Sequence, residues 1–305
     1  MSSLQQVLES GGFGVTAELA PPKGCDFREG IETAKQLAGL VHGINVTDMQ
    51  SASLKASSLG FCIALKQAGA EPILQMTGRD RSRMAMLGDF LSAAAFGIDT
   101  VLALTGDHPS LGDCKASKPV FDLDSVGILR MLTSAEQTGT DCGGNALSSV
   151  PHFYKGATVT PVYEPLWLQL NKLRKKVDAG AQFVQTQAVF SADVLEEFMN
   201  AVERENIRVP VMAGIIPLKS AGMARYMNEN VPGIRVPDGM MLRLSEAAEQ
   251  GKAAGVKGLP AEAGIEMAAA EIAEIRRRGL CGGVHLMTLG AERRIPELLR
   301  RAGIG

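Results

Sequence analysis

The stretch TVLALTGDHPSLGD, residues 100–113, sets an acid and an imidazole, Asp107 and His108, just behind an apolar run from Val101 to Leu104. A run of that length suits a strand buried on both faces. Gly106 allows a sharp turn, and Pro109 keeps the strand from resuming. A second carboxylate, Glu18, stands between Ala17 and Leu19 at the end of another strand pattern. A carboxyl group in apolar surroundings keeps its proton toward neutral pH and can donate it, so Glu18 reads as a general acid. A salt bridge to Lys23 or to an arginine is the alternative. Asp107 reads as an ionised partner for a cation or for the donor edge of a ring. Gln187 offers a donor and acceptors together, which suits a flat heterocycle, or else an amide satisfied inside the protein. His108 has no second histidine or cysteine beside it and reads as a positioned hydrogen-bonding group rather than a general base.

Other polar residues fall where strand patterns end: Asn45, Thr47, Asp48 and Gln50, then Gln75 and Thr77, Thr105, Thr158 and Thr160, Gln185, Lys219 and Ser220, and Thr288. The cluster Arg79-Asp80-Arg81-Ser82-Arg83 reads as a solvated helix start or as a phosphate site. Lys172, Arg174, Lys175 and Lys176 form the basic face of a later helix. Those nearest a mouth of strand ends could meet a cofactor phosphate. No Ser-His-Asp order, His-Glu-x-x-His or metal-ligand cluster occurs, and no metal is expected. The five cysteines form no Cys-x-x-Cys pair and are odd in number, against a disulfide framework or a self-contained zinc or iron–sulfur site.

These residues need elements to hold them. Four segments share one layout, an amphipathic helix, a glycine stop and a short apolar strand. They are Ser53–Ala68 with Gly69, Ser82–Phe96 with Gly97, Pro165–Ala179 with Gly180, and Ala261–Arg278 with Gly279. A glycine there accepts the left-handed conformation that ends a helix. The same pattern gives eight strands: Val15–Leu19, Gly43–Thr47, Pro72–Met76, Thr100–Leu104, Lys155–Val159, Gln182–Gln187, Pro210–Ile215 and Gly283–Met287. Eight βα units in 305 residues predict an α/β fold, a (β/α)8 TIM barrel in a single domain over 1–305. A doubly wound sheet is the rival, but no Gly-x-Gly-x-x-Gly follows the first strand. Two connections are long, about 108–150 and 230–260. The first holds a helix near Asp124–Gln137 and a Gly/Thr/Ser-rich stretch, Thr138–Ser149, expected to be mobile. The second holds a short charged helix near Met240–Gly251. In a parallel barrel the strand-end residues converge on one mouth.

Hydrophobic residues at 46% and charged residues at 21% are the balance of a globular protein. A net charge of −2 gives no basic field for nucleic acid or an anionic membrane. The N-terminus MSSLQQVLES lacks the pattern of a secretory signal, and no apolar run reaches bilayer length. The expectation is a cytoplasmic protein without membrane insertion.

At these residues the sequence resembles the methylenetetrahydrofolate reductase family. The matching pieces are AELAPPKG (17–24), NVTD (45–48), LTGDHP (104–109), KKVDAGAQFVQTQ (175–187), AGIIPLKSAGMARYM (213–227), RVPD (235–238) and GVHLMTL (283–289). They fall in order along nearly the whole chain and look most like the anaerobic, acetogen-type branch. The resemblance implies a flavin-binding barrel, with FAD or FMN, that reduces 5,10-methylenetetrahydrofolate to 5-methyltetrahydrofolate. It implies NAD(P)H as donor, directly or through a second redox subunit carrying iron–sulfur clusters or flavin, and allows a homo-oligomer. Glu18 matches the family's acid, Asp107 the aspartate at the pterin, and Gln187 the glutamine that binds it. Lys219 is expected at the substrate. Thr47, Gln75, Thr105, Gly106, Asp107, His108, Thr158, Lys172, Lys175 and Lys176 are expected at the cofactor. Gln75 and Thr105 stand where enterobacterial members have histidine and arginine, Gln169 replaces an aspartate, and Ala221 falls near a phenylalanine. The alternatives are a flavin-independent barrel and a non-catalytic pterin-binding subunit of a larger redox complex.

Overall fold

The computed structural model describes residues 2–304. Its eight strands are β1 (Gly14–Leu19), β2 (Gly43–Val46), β3 (Pro72–Thr77), β4 (Thr100–Leu104), β5 (Tyr154–Val159), β6 (Phe183–Ala188), β7 (Val211–Ile215) and β8 (Gly283–Leu286). Every neighbouring pair is parallel, and β8 returns to β1 to close the barrel in sequence order. The helices are α1 (Ser3–Glu9), α2 (Arg28–Leu37), α3 (Ser58–Gln67), α4 (Arg83–Ala95), α5 (Ser125–Thr138), α6 (Leu166–Asp178), α7 (Ala192–Arg204), α8 (Ala221–Asn230), α9 (Asp238–Ala254), α10 (Leu259–Arg278) and α11 (Ile295–Arg301). The predicted (β/α)8 TIM barrel is the fold, and β4 has its predicted bounds.

The four glycine stops all take positive φ, 88° at Gly69, 73° at Gly97, 105° at Gly180 and 63° at Gly279. Each ends a helix and lets the next strand begin within a few residues. Strand residues alternate between two cores. Those facing outward, such as Val15, Ala17, Val46, Leu74, Val101 and Val184, pack under the helices in the main hydrophobic cluster. Those facing inward at the lower end, Ile73, Leu102, Tyr154, Phe183 and Met212, fill the barrel together with Leu4 and Leu8 of α1. α1 thus plugs the N-terminal end of the barrel. Tyr154 and Phe183 stack at 5.0 Å, and Gly156 is the position that admits the Phe183 ring, since a Cβ there would lie 2.3 Å from it. The functional face is therefore the other end.

Some expectations are corrected. The predicted helix from Ser53 begins only at Ser58, because Ser57 caps it and the preceding residues are tied to other loops, Leu54 N–H to Asp113 and Ala56 N–H to the Pro22 carbonyl. The stretch 138–149 carries its own local hydrogen bonds. Asp141 accepts from the N–H groups of Gly143 and Asn145, and Thr140 pairs with Ala146. The helix near Met240 is longer than expected, because its buried Leu244 packs into a side cluster with α8 and α10. Among the described residues no helix is long and apolar enough to cross a membrane, and no group of side chains could hold a metal ion.

Candidate active site

A cavity of about 600 Å³ opens at the C-terminal ends of the strands. Its depth is set by a buried polar layer directly above the apolar plug. Asn45 of β2 and Gln185 of β6 face one another across the barrel and exchange two hydrogen bonds, 2.9 Å and 3.1 Å. Gln185 Nε2 also donates to Thr16 Oγ1 of β1 at 3.1 Å, and Thr16 Oγ1 lies 2.9 Å from His285 Nδ1 of β8. All four residues are at most 3% exposed. Inward positions two residues apart along a regular strand share a face, so the residue above Thr16 is Glu18; Gln187 reaches the same cavity from a stretch of β6 whose pairing with β7 is irregular.

Glu18 projects from β1 into the cavity. Its neighbours Ala17 and Leu19 point the other way, into the outer core. The expected apolar setting is therefore not found, because strand alternation separates Glu18 from its sequence neighbours. Gln50 Nε2 donates to Glu18 Oε1 at 3.1 Å, and His285 Nε2 lies 3.9 Å from Oε2. Lys23 is not its partner; it pairs with Asp113. Gln187 lines the same cavity, half-buried. Its Oε1 accepts the Ala188 N–H at 3.1 Å, and its amide nitrogen has no hydrogen-bond partner within the described residues.

Asp107 lines the rim from the loop after β4. Gly106 takes φ 90° there, and a Cβ would press within 3.0 Å of Thr77 and 3.1 Å of Arg79. The close approach of the loop to β3 thus requires glycine. Thr105 also lines the cavity and accepts from the Ser125 N–H at 3.2 Å, tying the loop to the start of α5. Gln75 and Thr158 line the wall. Lys172 and Lys176, one turn apart on α6, complete it. Lys176 Nζ donates to the Thr158 carbonyl at 2.6 Å, and burial followed by the nearby Lys172 charge pushes its ammonium down to about 8.

Four expected site residues lie elsewhere. Lys219 leaves the cavity because the chain after β7 packs down on α10 at Gly264, and its ammonium donates to the Leu289 carbonyl. Thr47 is buried behind the wall with its hydroxyl unpartnered, and Asp48 takes the place on the cavity surface. His108 is turned outward, where its Nδ1 accepts from the Ser110 N–H and its ring stacks on Phe121. Lys175 is exposed and does not line the cavity.

The Arg79–Arg83 cluster is not a phosphate site. Arg79 is buried against Asp80, Arg81 pairs with Asp48 and Asp89, and Arg83 pairs with Asp122. Each guanidinium is committed to a carboxylate. Arg79 belongs to the site in another way, since it also holds the carbonyls of Asp107 and Met49. Met49, Ser51 and Ala52 all adopt positive φ without being glycine, and this bent segment delivers Gln50 to Glu18. Thr16 and His285 were missing from the expected site. Their only sequence signal was alternation, which places them inward beside Glu18 and Met287.

The comparisons with known proteins agree with this architecture. The family model described as methylenetetrahydrofolate reductase matches residues 3–303. A probable methylenetetrahydrofolate reductase (NADPH) of Caenorhabditis elegans is 26% identical over 83% of this chain and 34% of its own length. Methylenetetrahydrofolate reductase 2 of Schizosaccharomyces pombe is 26% identical over 70% of this chain and 33% of its own. The chain thus spans about a third of the length of these relatives. Among solved structures, an uncharacterised protein from Clostridium thermocellum that binds two copies of 5-methyl-5,6,7,8-tetrahydrofolic acid superposes with a TM-score of 0.61. It covers 98% of this chain and 97% of its own at 14% identity, a likeness of fold. A tryptophan synthase from Mycobacterium tuberculosis shares the fold more loosely, with a TM-score of 0.52 at 14% identity over 100% of this chain and 96% of its own. With a family match that runs almost end to end, on a closed barrel whose mouth gathers Glu18, Asp107 and Gln187, this chain belongs to the methylenetetrahydrofolate reductase family.

Proposed function

We propose that this chain binds a flavin in the cavity and reduces 5,10-methylenetetrahydrofolate to 5-methyltetrahydrofolate. The observation that carries this reading is the convergence of Glu18, Gln187 and Asp107, from β1, β6 and the loop after β4, on one cavity. The lining fits a flavin. An isoalloxazine edge alternates donors and acceptors, and the Gln75 amide in the cavity wall offers both. Leu102, Leu104 and Met287 offer apolar surface to flat rings, and Lys172 and Lys176 offer positive charge to phosphate. FAD and FMN both suit that set. When bound, the flavin supplies two electrons as a hydride to the one-carbon unit.

The chain's own residues carry the proton and the charge. Glu18 donates its proton to N10 of the folate, and the imidazolidine ring opens to a 5-iminium cation. The carboxylate left behind meets the Gln50 amide on one oxygen and the His285 ring beside the other. Asp107 stabilises the cation with its negative charge, in a site where the surrounding dipoles are already oriented. The same charge disfavours an electron-rich ring beside it and so lowers the affinity for added electrons. Gln187 uses its unpartnered amide nitrogen to bind the pterin. NAD(P)H is the donor in this reading, directly or through a second redox subunit.

The test is the visible spectrum of the purified chain and the reoxidation of its reduced form by methylenetetrahydrofolate. Retained flavin that is reoxidised by the folate is the expected result. Failure to bind flavin overturns the reading. Folate binding without turnover would assign a pterin-binding subunit instead.

A further inference from the structure

We infer that His285 is the positioning residue for Glu18, held as its Nε2–H tautomer by the buried chain Asn45–Gln185–Thr16. The inference rests on Glu18 being the acid of the proposed reaction.

The direction of the chain follows from counting hydrogens. Gln185 Nε2 has two hydrogens and gives one to Asn45 Oδ1 and one to Thr16 Oγ1. Its Oε1 accepts from Asn45 Nδ2. Three of the four amide hydrogens of this buried pair are therefore used. Turning both amides over would keep the two bonds between them. It would also present Gln185 Oε1 to Thr16 and leave a second amide hydrogen without a partner. Buried donors avoid that state, so the observed orientation is the favoured one.

Thr16 then accepts from Gln185, and its single hydroxyl hydrogen is free to go to His285 Nδ1, 2.9 Å away. An imidazole that accepts at Nδ1 in its neutral form carries its hydrogen at Nε2. Nε2 is the atom that faces Glu18 Oε2, at 3.9 Å. That distance is longer than a hydrogen bond, as catalytic contacts often are before the substrate binds. Gln50 donates to the other oxygen at 3.1 Å. Glu18 is thus bracketed by two N–H groups, one from a mouth loop and one from the barrel floor. This holds the carboxyl in one orientation and receives its charge once the proton has left.

The first test needs neither cofactor nor turnover. The chain has 4 histidines, so nitrogen chemical shifts of ¹⁵N-histidine-labelled protein, assigned with His285→Asn, report the tautomer of each ring. The expected result is a single Nε2–H form for His285, retained in Glu18→Ala and lost to a mixture in Thr16→Val. A wild-type ring that already mixes tautomers, or one that follows Glu18 instead of Thr16, overturns the inference.

The second test uses the flavin-loaded enzyme and compares His285→Gln with His285→Asn. A glutamine nitrogen reaches the place of Nε2, whereas an asparagine nitrogen reaches only that of Nδ1. His285→Gln is expected to keep the folate step within about fivefold, and His285→Asn to lose it by on the order of a hundredfold with KM for folate little changed. Equal loss in both variants overturns the positioning role. A wild-type chain that does not reduce the folate at all overturns the proposed function and leaves the tautomer result standing.

Discussion

The guanidinium of Arg79 donates to the main-chain carbonyl of Asp107 at 3.1 Å. Its other arm donates to the Met49 carbonyl at 3.2 Å and to Asp80. One buried side chain from the end of β3 therefore sets two mouth loops, the one that carries Asp107 and the one that carries Gln50. The loops also touch directly, since Gly112 is packed against the Ala52 carbonyl and Asp113 accepts from the Leu54 N–H at 2.9 Å.

Arg79→Met is expected to lower stability by about 3 kcal/mol, the scale of breaking a buried charge network on one side. It should also raise KM for the folate, because both loops lose their tether. Denaturant unfolding at constant m-value and steady-state kinetics measure the two effects. A midpoint equal to wild type would show that Arg79 holds nothing.

Glu18→Gln should slow folate turnover by roughly 10² to 10⁴ while leaving flavin reduction by the donor within about twofold, because only ring opening needs the acid. Separate stopped-flow half-reactions decide it. Equal loss in both would make Glu18 a structural residue.

Asp107→Asn should raise the flavin potential and weaken folate binding, since it removes a negative charge from the rim and keeps the shape. Reference-dye titration reads the first effect and folate titration the second. If neither moves, Asp107 does not face the reacting rings.

Lys176 supplies a charge that depends on pH. Its ammonium is depressed from 10.5 to about 8 by burial and by Lys172, so the cation is present below that value and is lost above it. Affinity for a phosphate-bearing flavin should fall, on the order of tenfold, between about pH 7 and 9. Lys176→Arg stays charged and should flatten the curve. Fluorescence titration across that range is the measurement, and parallel curves for the two proteins would take Lys176 out of cofactor binding.

Glu271 on α10 is a half-buried acid that the proposed chemistry does not use. Burial, and then the charges of Asp193 and Glu274, push its carboxyl from 4.5 up to about 7, and its Oε1 is buried without a hydrogen bond. The folded state then holds a proton that the unfolded chain has released. Stability should therefore fall as pH rises from 4.5 through 7, and level off beyond. The loss is at most about 2 kcal/mol, because the group keeps some contact with water. Glu271→Gln should remove this slope and be the more stable protein above pH 7. Unfolding free energies at a series of pH values check the sign; an unchanged slope would show that Glu271 is solvated.

Much of this protein is written locally in its sequence. Thr100–Leu104 is a strand because its apolar run is short and ends in Gly106, and α4 ends at Gly97 because glycine takes the left-handed turn cheaply. Such features depend on neighbours a few residues away, so the alternation of βα units and the placing of Glu18, Asp107 and Gln187 at strand ends could be read directly. The environment of each residue could not. Ala17 and Leu19 suggest an apolar setting for Glu18, yet alternation turns them away and gives it Gln50 and His285 instead. Arg79 looks solvated beside Arg81 and Arg83, yet closure of the mouth buries it against the backbone of two loops. Thr16 meets His285 across 269 residues, and Asn45 meets Gln185 across 140. Those pairings exist only because β8 returns to β1 and the inward side chains of opposite strands share one narrow interior. The sequence by itself determined the eight strands and placed Glu18, Asp107 and Gln187 at their C-terminal ends, because both follow from short-range backbone preference. Barrel closure alone decided which of those side chains touch, since contact across the interior depends on the register of all eight strands together.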